Sequence, residues 1–187
     1  MNKQALNLLK RILKSKGLNL SLLIAIFFFI ASTYTGFSFN ELSNLFKPKE
    51  EFYAVVTKIS DGDTLHLRDI NNKTYKVRLQ GIDAPELKQE FGKEAKEYLI
   101  SLIKDKEVKA IIEDKDKYNR YVATIYLNKM DINRALVSNG YAHAYKEYST
   151  KYIQDENNAK SKKIGLWKND KIILPSEFRK MNKILSF

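Results

Sequence analysis

The chain contains no cysteine in its 187 residues. Disulfides and thiolate-bound metals are thereby excluded, although this absence assigns no compartment. Histidine is nearly absent as well, with only His66 and His143. A zinc centre built from imidazoles is therefore not expected, and a hard cation held by oxygen donors fits the residue supply better. No acidic residue occurs among the first 16 positions, and no charged residue of either sign occurs from Gly17 to Asn40. No internal repeat is visible, nor any low-complexity tract beyond a bias toward lysine and asparagine.

What is present is positive charge, +11 overall, from 33 Lys and Arg against 22 Asp and Glu. Lys3, Lys10, Arg11, Lys14 and Lys16 supply five of these charges, leaving +6 of the +11 for the rest of the chain. An excess of that size favours polyanionic partners through the long-range field and is equally compatible with a solvated, lysine-rich surface. At 187 residues and 44% hydrophobic content the chain can bury one core but hardly two, so one domain with an appendage is expected.

The appendage is amino-terminal. Residues 1–16 form a basic segment, and 17–39 carry an apolar heart from Leu18 to Ala31 that includes Ile24-Ala25-Ile26-Phe27-Phe28-Phe29-Ile30. A charge-free stretch of roughly 20 residues or more is long enough to span a bilayer. Five preceding cations, with none following until Lys47, place the amino terminus inside and the remaining chain outside. An uncleaved membrane anchor is the favoured reading. Its competitor is a cleaved signal peptide, because an apolar heart of about 14 residues falls in the range of such segments, and the product would then be secreted. Residues 40–51, with Pro48 among polar neighbours, read as a linker, residues 52–170 as the domain and residues 171–187 as a C-terminal extension.

Within the domain, strand-like runs rich in β-branched and aromatic residues cover Phe52 to Ile59, Thr64 to Arg68 and Thr74 to Gln80, separated by the turn pairs Asp61-Gly62 and Asn71-Asn72. In the third run Tyr75, Val77 and Leu79 share one face, which aims Arg78 away from the core. Helical spacing of Phe91, Ala95, Leu99, Leu102 and Ile103 predicts a helix over 89–104. Two further strands, Val108 to Ile112 and Tyr121 to Leu127, flank the polar segment Glu113 to Arg120. A short helix over 131–139 has Asp131 as its cap and Gly140 beyond its end, and a polar helix over 150–162 precedes Gly165-Leu166-Trp167. The pattern is α+β, mainly β: a five-stranded barrel of the oligonucleotide-binding (OB-fold) type with about three helices, preceded by one transmembrane or signal-anchor helix.

Two acidic clusters, Asp61-Gly62-Asp63-Thr64 and Asp83-Ala84-Pro85-Glu86, bracket Arg78 in this otherwise basic chain. Each alone reads as a turn or loop, and together they place cation ligands beside an anion clamp. Cleavage of a phosphodiester requires the phosphate oxygens to be neutralised, a water to be positioned and the leaving oxygen to be assisted. Asp63 and Asp83 offer hard oxygen ligands, and the Ala84 carbonyl could supply a third. So sparse a set suits Ca²⁺ at low affinity, about 10⁻⁴ to 10⁻³ M as in extracellular modules. Glu86 is near enough to orient a water or act as general base. Arg78 and Arg120 could clamp phosphate with forked donors.

From Phe52 to Trp167 the chain resembles the thermonuclease, or staphylococcal nuclease, family. The matching blocks are Asp61-Gly62-Asp63-Thr64, Val77-Arg78-Leu79, Gly81 to Glu86, Phe91-Gly92-Lys93-Glu94-Ala95, Asp116 to Tyr121, Asn133 to Val137 and Gly165-Leu166-Trp167, in the family's order. The resemblance implies a Ca²⁺-dependent endonuclease acting on DNA and RNA that leaves 3′-phosphate ends. It assigns Asp63, Asp83 and the Ala84 carbonyl to calcium, and Arg78, Glu86 and Arg120 to catalysis. Lys117 and Tyr118 match nucleotide-contacting positions. A family tyrosine that faces the base corresponds to Tyr145 or to Tyr148, with barrel-rim packing as the alternative role for either. The segment between Glu86 and Phe91 is shorter than in the best-known secreted members. His143 reads as a packing or surface residue rather than a catalyst. The rival function is a noncatalytic barrel that holds nucleic acid or protein at the membrane; no protein partner is otherwise expected.

Overall fold

The computed structural model describes residues 49–169 and 171–184. The basic segment, the anchor or signal helix and nearly all of the linker expected from the sequence lie outside those residues. Among the described residues no helix is long and apolar enough to cross a membrane.

Alternation of buried and exposed positions produces the strands that the pattern predicted. β1 (Glu51–Ile59), β2 (Thr64–Arg68) and β3 (Thr74–Leu79) form an antiparallel meander, and β5 (Glu107–Lys115) pairs with β1 on its other edge and with β6 (Tyr121–Leu127). Parallel pairing of β3 with β6, with Val77 opposite Tyr121 and Leu79 opposite Ala123, closes the five strands into a barrel. Closure leaves no open edge among these strands. Register shifts between Val56 and Lys58 and between Ile112 and Asp114 mark bulges in β1 and β5, which add the local bend that a small barrel needs. The interior is filled by Val56, Leu65, Leu67, Val77, Leu79, Ala110, Ala123 and Ile125, all almost fully buried.

Two-residue strands escaped the sequence pattern because neither periodicity nor composition marks them. β4 (Ile82–Asp83) pairs with β8 (His143–Ala144), and β7 (Met130–Asp131) extends the edge beside β6. The helices are α1 (Gly92–Ile103), α2 (Ile132–Ser138), α3 (Ile153–Ser161) and α4 (Pro175–Ile184). The first three are slightly shorter than their predicted ranges. α1 buries Ala95, Leu99 and Ile103 at four-residue intervals. Asp131 caps α2 as expected, its Oδ1 accepting from the Arg134 N–H at 2.9 Å. Asn133, fully buried, ties α2 to the barrel: its Oδ1 accepts from Ile125 N–H at 3.1 Å and its Nδ2 donates to the carbonyls of Gln80 and Ala123. Among the described residues four α-helices rather than about three are present, because the C-terminal extension forms α4. This mixed α+β architecture with a closed five-stranded barrel fits the OB-fold.

Candidate active site

The end of β1, the start of β2 and the end of β3 meet at one end of the barrel. The turn from β1 to β2 carries Asp61 and Asp63, and β4 brings Asp83 and Ala84 against it. Gly62 permits that contact, since a Cβ there would lie 2.7 Å from the Ala84 Cβ and 2.9 Å from that of Ala95. Asp63 Oδ2 accepts from the Ala84 N–H at 2.8 Å, joining two acidic segments that lie 21 positions apart in sequence. The Asp63 N–H in turn donates to Asp61 Oδ1 at 3.0 Å.

Arg78 points off the core face of β3, as the strand alternation predicted, yet it is not solvated. Its Nη1 forms an ion pair with Asp63 Oδ2, and its Nη2 contacts Asp83 Oδ1 at 2.8 Å. Asp63 and Asp83 are 7% and 3% exposed, so a low-dielectric acidic pair shares the Arg78 guanidinium. Burial works against the Arg78 charge, and the neighbouring aspartates, Asp63 first, overcome it and raise the pKa above its ordinary value. Burial likewise raises Asp83 above the usual carboxylate range against the opposing pull of Arg179 and Arg78. Asp61 is pushed up to about 6 by burial and then by the Asp63 charge.

Glu86 follows Asp83 by three residues and is set by a tight turn. Its N–H donates to Gln89 Oε1 at 3.2 Å, and its carbonyl accepts from the Gln89 N–H at 2.8 Å. A Cβ on Gly92 would fall 1.9 Å from the Glu86 carbonyl oxygen, so only glycine lets α1 begin directly beneath this residue. The sequence contained Gly92 within a matching block but gave no sign of this contact.

Arg120 stands apart from the acidic cluster in its bonding. Its Nε donates to Asp116 Oδ2 at 2.8 Å, and Asp116 Oδ1 accepts from the Arg120 backbone N–H at 3.0 Å. Tyr118, 68% exposed, lies at the tip of the same β5–β6 turn with Lys117 and Arg120 over its ring. Tyr145 and Tyr148 pack edge to face at 4.7 Å, and the Tyr145 hydroxyl titrates above its ordinary range through burial and the nearby Asp83 charge. Both expected tyrosines therefore lie together, Tyr145 near Asp83 and Tyr148 largely exposed.

Arg179, on α4, was not anticipated. Its Nη1 contacts Asp83 Oδ1 at 3.1 Å and Glu86 Oε1 at 2.8 Å, while its Nη2 contacts Asp83 Oδ2 at 3.0 Å. The signals for its helix are present in sequence, Pro175 at the first position and Glu177 in the first turn. Nothing local indicates a partner 96 positions away.

The carboxylates here are of the oxygen-only chemistry that a hard divalent cation takes. Asp63 and Asp83 are brought together, negatively charged and oxygen-only, and the cluster already attracts two guanidinium groups. Among the described residues no group of three His, Cys, Asp or Glu side chains is arranged to hold a metal ion.

Barrel and site together define a small OB-type protein with an acidic cluster bound to arginines at one barrel end. Residues 76–169 match the sequence model of the family described as "Staphylococcal nuclease homologue", and the chain belongs to that family. It is 46% identical over 131 residues to an "Uncharacterized endonuclease" of Haemophilus influenzae, an overlap covering 69% of this chain and 74% of the relative. It is 32% identical over 120 residues to an "Uncharacterized endonuclease" of Escherichia coli, covering 63% and 78% respectively. A "Probable staphylococcal-like nuclease" of Oryza sativa subsp. japonica is 36% identical over 110 residues, and there the match covers 58% of this chain but only 29% of the plant protein.

Proposed function

We propose that this chain is a Ca²⁺-dependent endonuclease that hydrolyses phosphodiester bonds of DNA and RNA to 3′-phosphate ends. Residues 17–39 would tether it to the outer side of a membrane. The observation that carries the reading is the convergence of Asp63 and Asp83, from separate segments, on the buried guanidinium of Arg78, with Glu86 three residues beyond. Family membership and the names of the relatives support nuclease chemistry.

Hydrolysis forms a bond from a water oxygen to phosphorus and breaks the bond from phosphorus to the 5′ oxygen. Phosphate stays on the 3′ side, and the 5′ oxygen leaves with a proton taken from solvent water as the 5′ hydroxyl. Glu86 orients this water and accepts its proton. Asp63, Asp83 and the Ala84 carbonyl would hold the cation, which when bound supplies positive charge against the phosphate oxygens. Arg78 exchanges carboxylate partners for phosphate oxygens, and Arg120 turns from Asp116 to do the same; both are suited by their forked donors. Lys117 and Tyr118 contact the nucleotide from the β5–β6 turn. Tyr145 and Tyr148 offer rings for base stacking, an interaction indifferent to sequence and of about 1–3 kcal/mol per base.

The test uses the full-length chain, purified in mild detergent and incubated with single-stranded DNA and RNA in Ca²⁺, with EDTA and Arg78→Ala as controls. Calcium-dependent cutting to 3′-phosphate ends, lost in both controls, is expected. Intact nucleic acid that nevertheless shifts in a binding gel would replace hydrolysis with a noncatalytic binding role.

A further inference from the structure

α4 carries its own cation into the acidic site. The Arg179 guanidinium spans both oxygens of Asp83, at 3.1 and 3.0 Å, and reaches Glu86 Oε1 at 2.8 Å. It therefore engages, in one group, a proposed cation ligand and the proposed base. Arg78 occupies Asp83 Oδ1 and Asp63 Oδ2 from the other side, and the Ala84 N–H adds a further donor to Asp63 Oδ2. The two ligand carboxylates are thus satisfied by the chain's own donors. A divalent cation coordinated by Asp83 must claim the oxygens that Arg179 holds, and electrostatics does not favour both, since each is a positive charge seeking the same lone pairs.

α4 itself is lightly held. Pro175 is its only buried residue, while Met181 is 50% and Ile184 73% exposed. Polar contacts join it to the barrel side through Arg179 and, just before the helix, through Gln89 Nε2, which donates to the Ile173 carbonyl at 2.6 Å, and Phe178 adds a half-buried ring. Phe178, Arg179 and Asn182 face Asp61 and Glu86 across a cleft of about 320 Å³. An element with so little buried apolar surface can leave without unfolding the barrel.

We infer that α4 is an intramolecular latch: Arg179 competes with the divalent cation for Asp83 and sequesters Glu86, so that cation binding releases the helix and opens the site. This rests on the proposed role of Asp63 and Asp83 in holding Ca²⁺. Linkage requires reciprocity, in that docking of α4 weakens cation binding by the same factor by which the cation weakens docking.

The test measures Ca²⁺ binding calorimetrically to the full-length chain and to Arg179→Ala, with Asp83→Ala reporting the site, and follows hydrogen exchange of the α4 amides during the titration. Arg179→Ala is expected to bind Ca²⁺ at least about fivefold more tightly, and the wild-type α4 amides are expected to exchange faster as Ca²⁺ fills the site. Equal or weaker binding by Arg179→Ala, or α4 amides equally protected throughout, overturns the latch while leaving the calcium site standing. Binding by neither protein overturns the calcium site and the latch with it.

Discussion

Arg78 concentrates the electrostatics of the site in a single side chain. Its guanidinium separates two buried aspartates that would otherwise repel, so its removal has two consequences that can be measured separately. Arg78→Ala is expected to lower turnover by about 10²–10³-fold, the cost of deleting one preorganised charge-stabilising donor. In EDTA the same substitution should reduce stability by about 3 kcal/mol in denaturant titrations, because it removes the ion-pair partner of buried Asp63 and leaves Asp83 to Arg179 alone. Wild-type turnover in this variant would remove Arg78 from the mechanism. Glu86→Gln separates chemistry from cation binding: single-turnover cleavage should slow by about 10²–10⁴-fold, while a calcium titration remains largely as in the wild type. A matched loss of calcium affinity would instead make Glu86 a ligand. Most of this cluster was legible in the sequence, because Asp63, Arg78, Asp83 and Glu86 lie within 24 consecutive positions, the carboxylates in two compact acidic motifs and Arg78 on a strand whose alternation fixes its direction. Arg179 was illegible for the opposite reason, since its partners are reached only through the tertiary path of the C-terminal segment.

At the level of elements, the barrel strands and first three helices could be read from period-two and helical spacing, and their observed limits differ by only a few residues. What could not be read are the contacts that lock elements together. Asn133 looks in sequence like any polar helix residue, yet it satisfies the Ile125 N–H and two carbonyls in the interior. Asn133→Leu should therefore cost roughly 2–4 kcal/mol in chemical denaturation, the penalty for leaving several buried backbone groups unpaired; an unchanged midpoint would show that the groups find other partners. His143 is a second case, expected to be a packing or surface residue and found 4% exposed. On β8 it faces Glu156 at 3.8 Å, has Lys146 and Lys160 nearby, and meets Trp167 edge-on. Burial, with Glu156 opposing it, lowers its pKa from 6.5 to about 4. A depressed histidine pKa means that the unfolded chain binds the proton more readily than the fold does. Its contribution is fully present above pH 6.5 and is lost as the pH falls toward 4, by about 3 kcal/mol in all. His143→Gln, which cannot charge, should flatten the dependence of the unfolding midpoint on pH in that window. An identical slope would assign the acid sensitivity to other groups.

For the molecule as a whole, the proposed reaction and the proposed location depend on different parts of the chain. The proposed chemistry belongs to the barrel, whose five strands between Glu51 and Leu127 close on one another. The proposed location depends on the uncharged segment from Gly17 to Asn40 and the five cations before it. A span of that length transfers enough apolar surface into lipid that high salt or alkaline carbonate should not extract the protein, whereas detergent should. The charge asymmetry gives the proposed anchor a direction, with its cations on the cytoplasmic side, so protease added outside intact spheroplasts should digest the barrel and spare a basic, membrane-embedded stub. Recovery of a shortened chain in the medium would identify the segment as a cleaved signal and the nuclease as secreted. Recovery of the full chain in the soluble fraction would leave the apolar block without a membrane role. Tethering would also bear on the calcium reading, because an outward-facing site meets the millimolar cation concentrations that a sparse two-carboxylate centre with affinity of about 10⁻⁴ to 10⁻³ M needs for occupancy. The same site facing the cytoplasm would remain essentially unfilled, so the protease experiment tests the topology and, through it, the conditions under which the proposed chemistry can run.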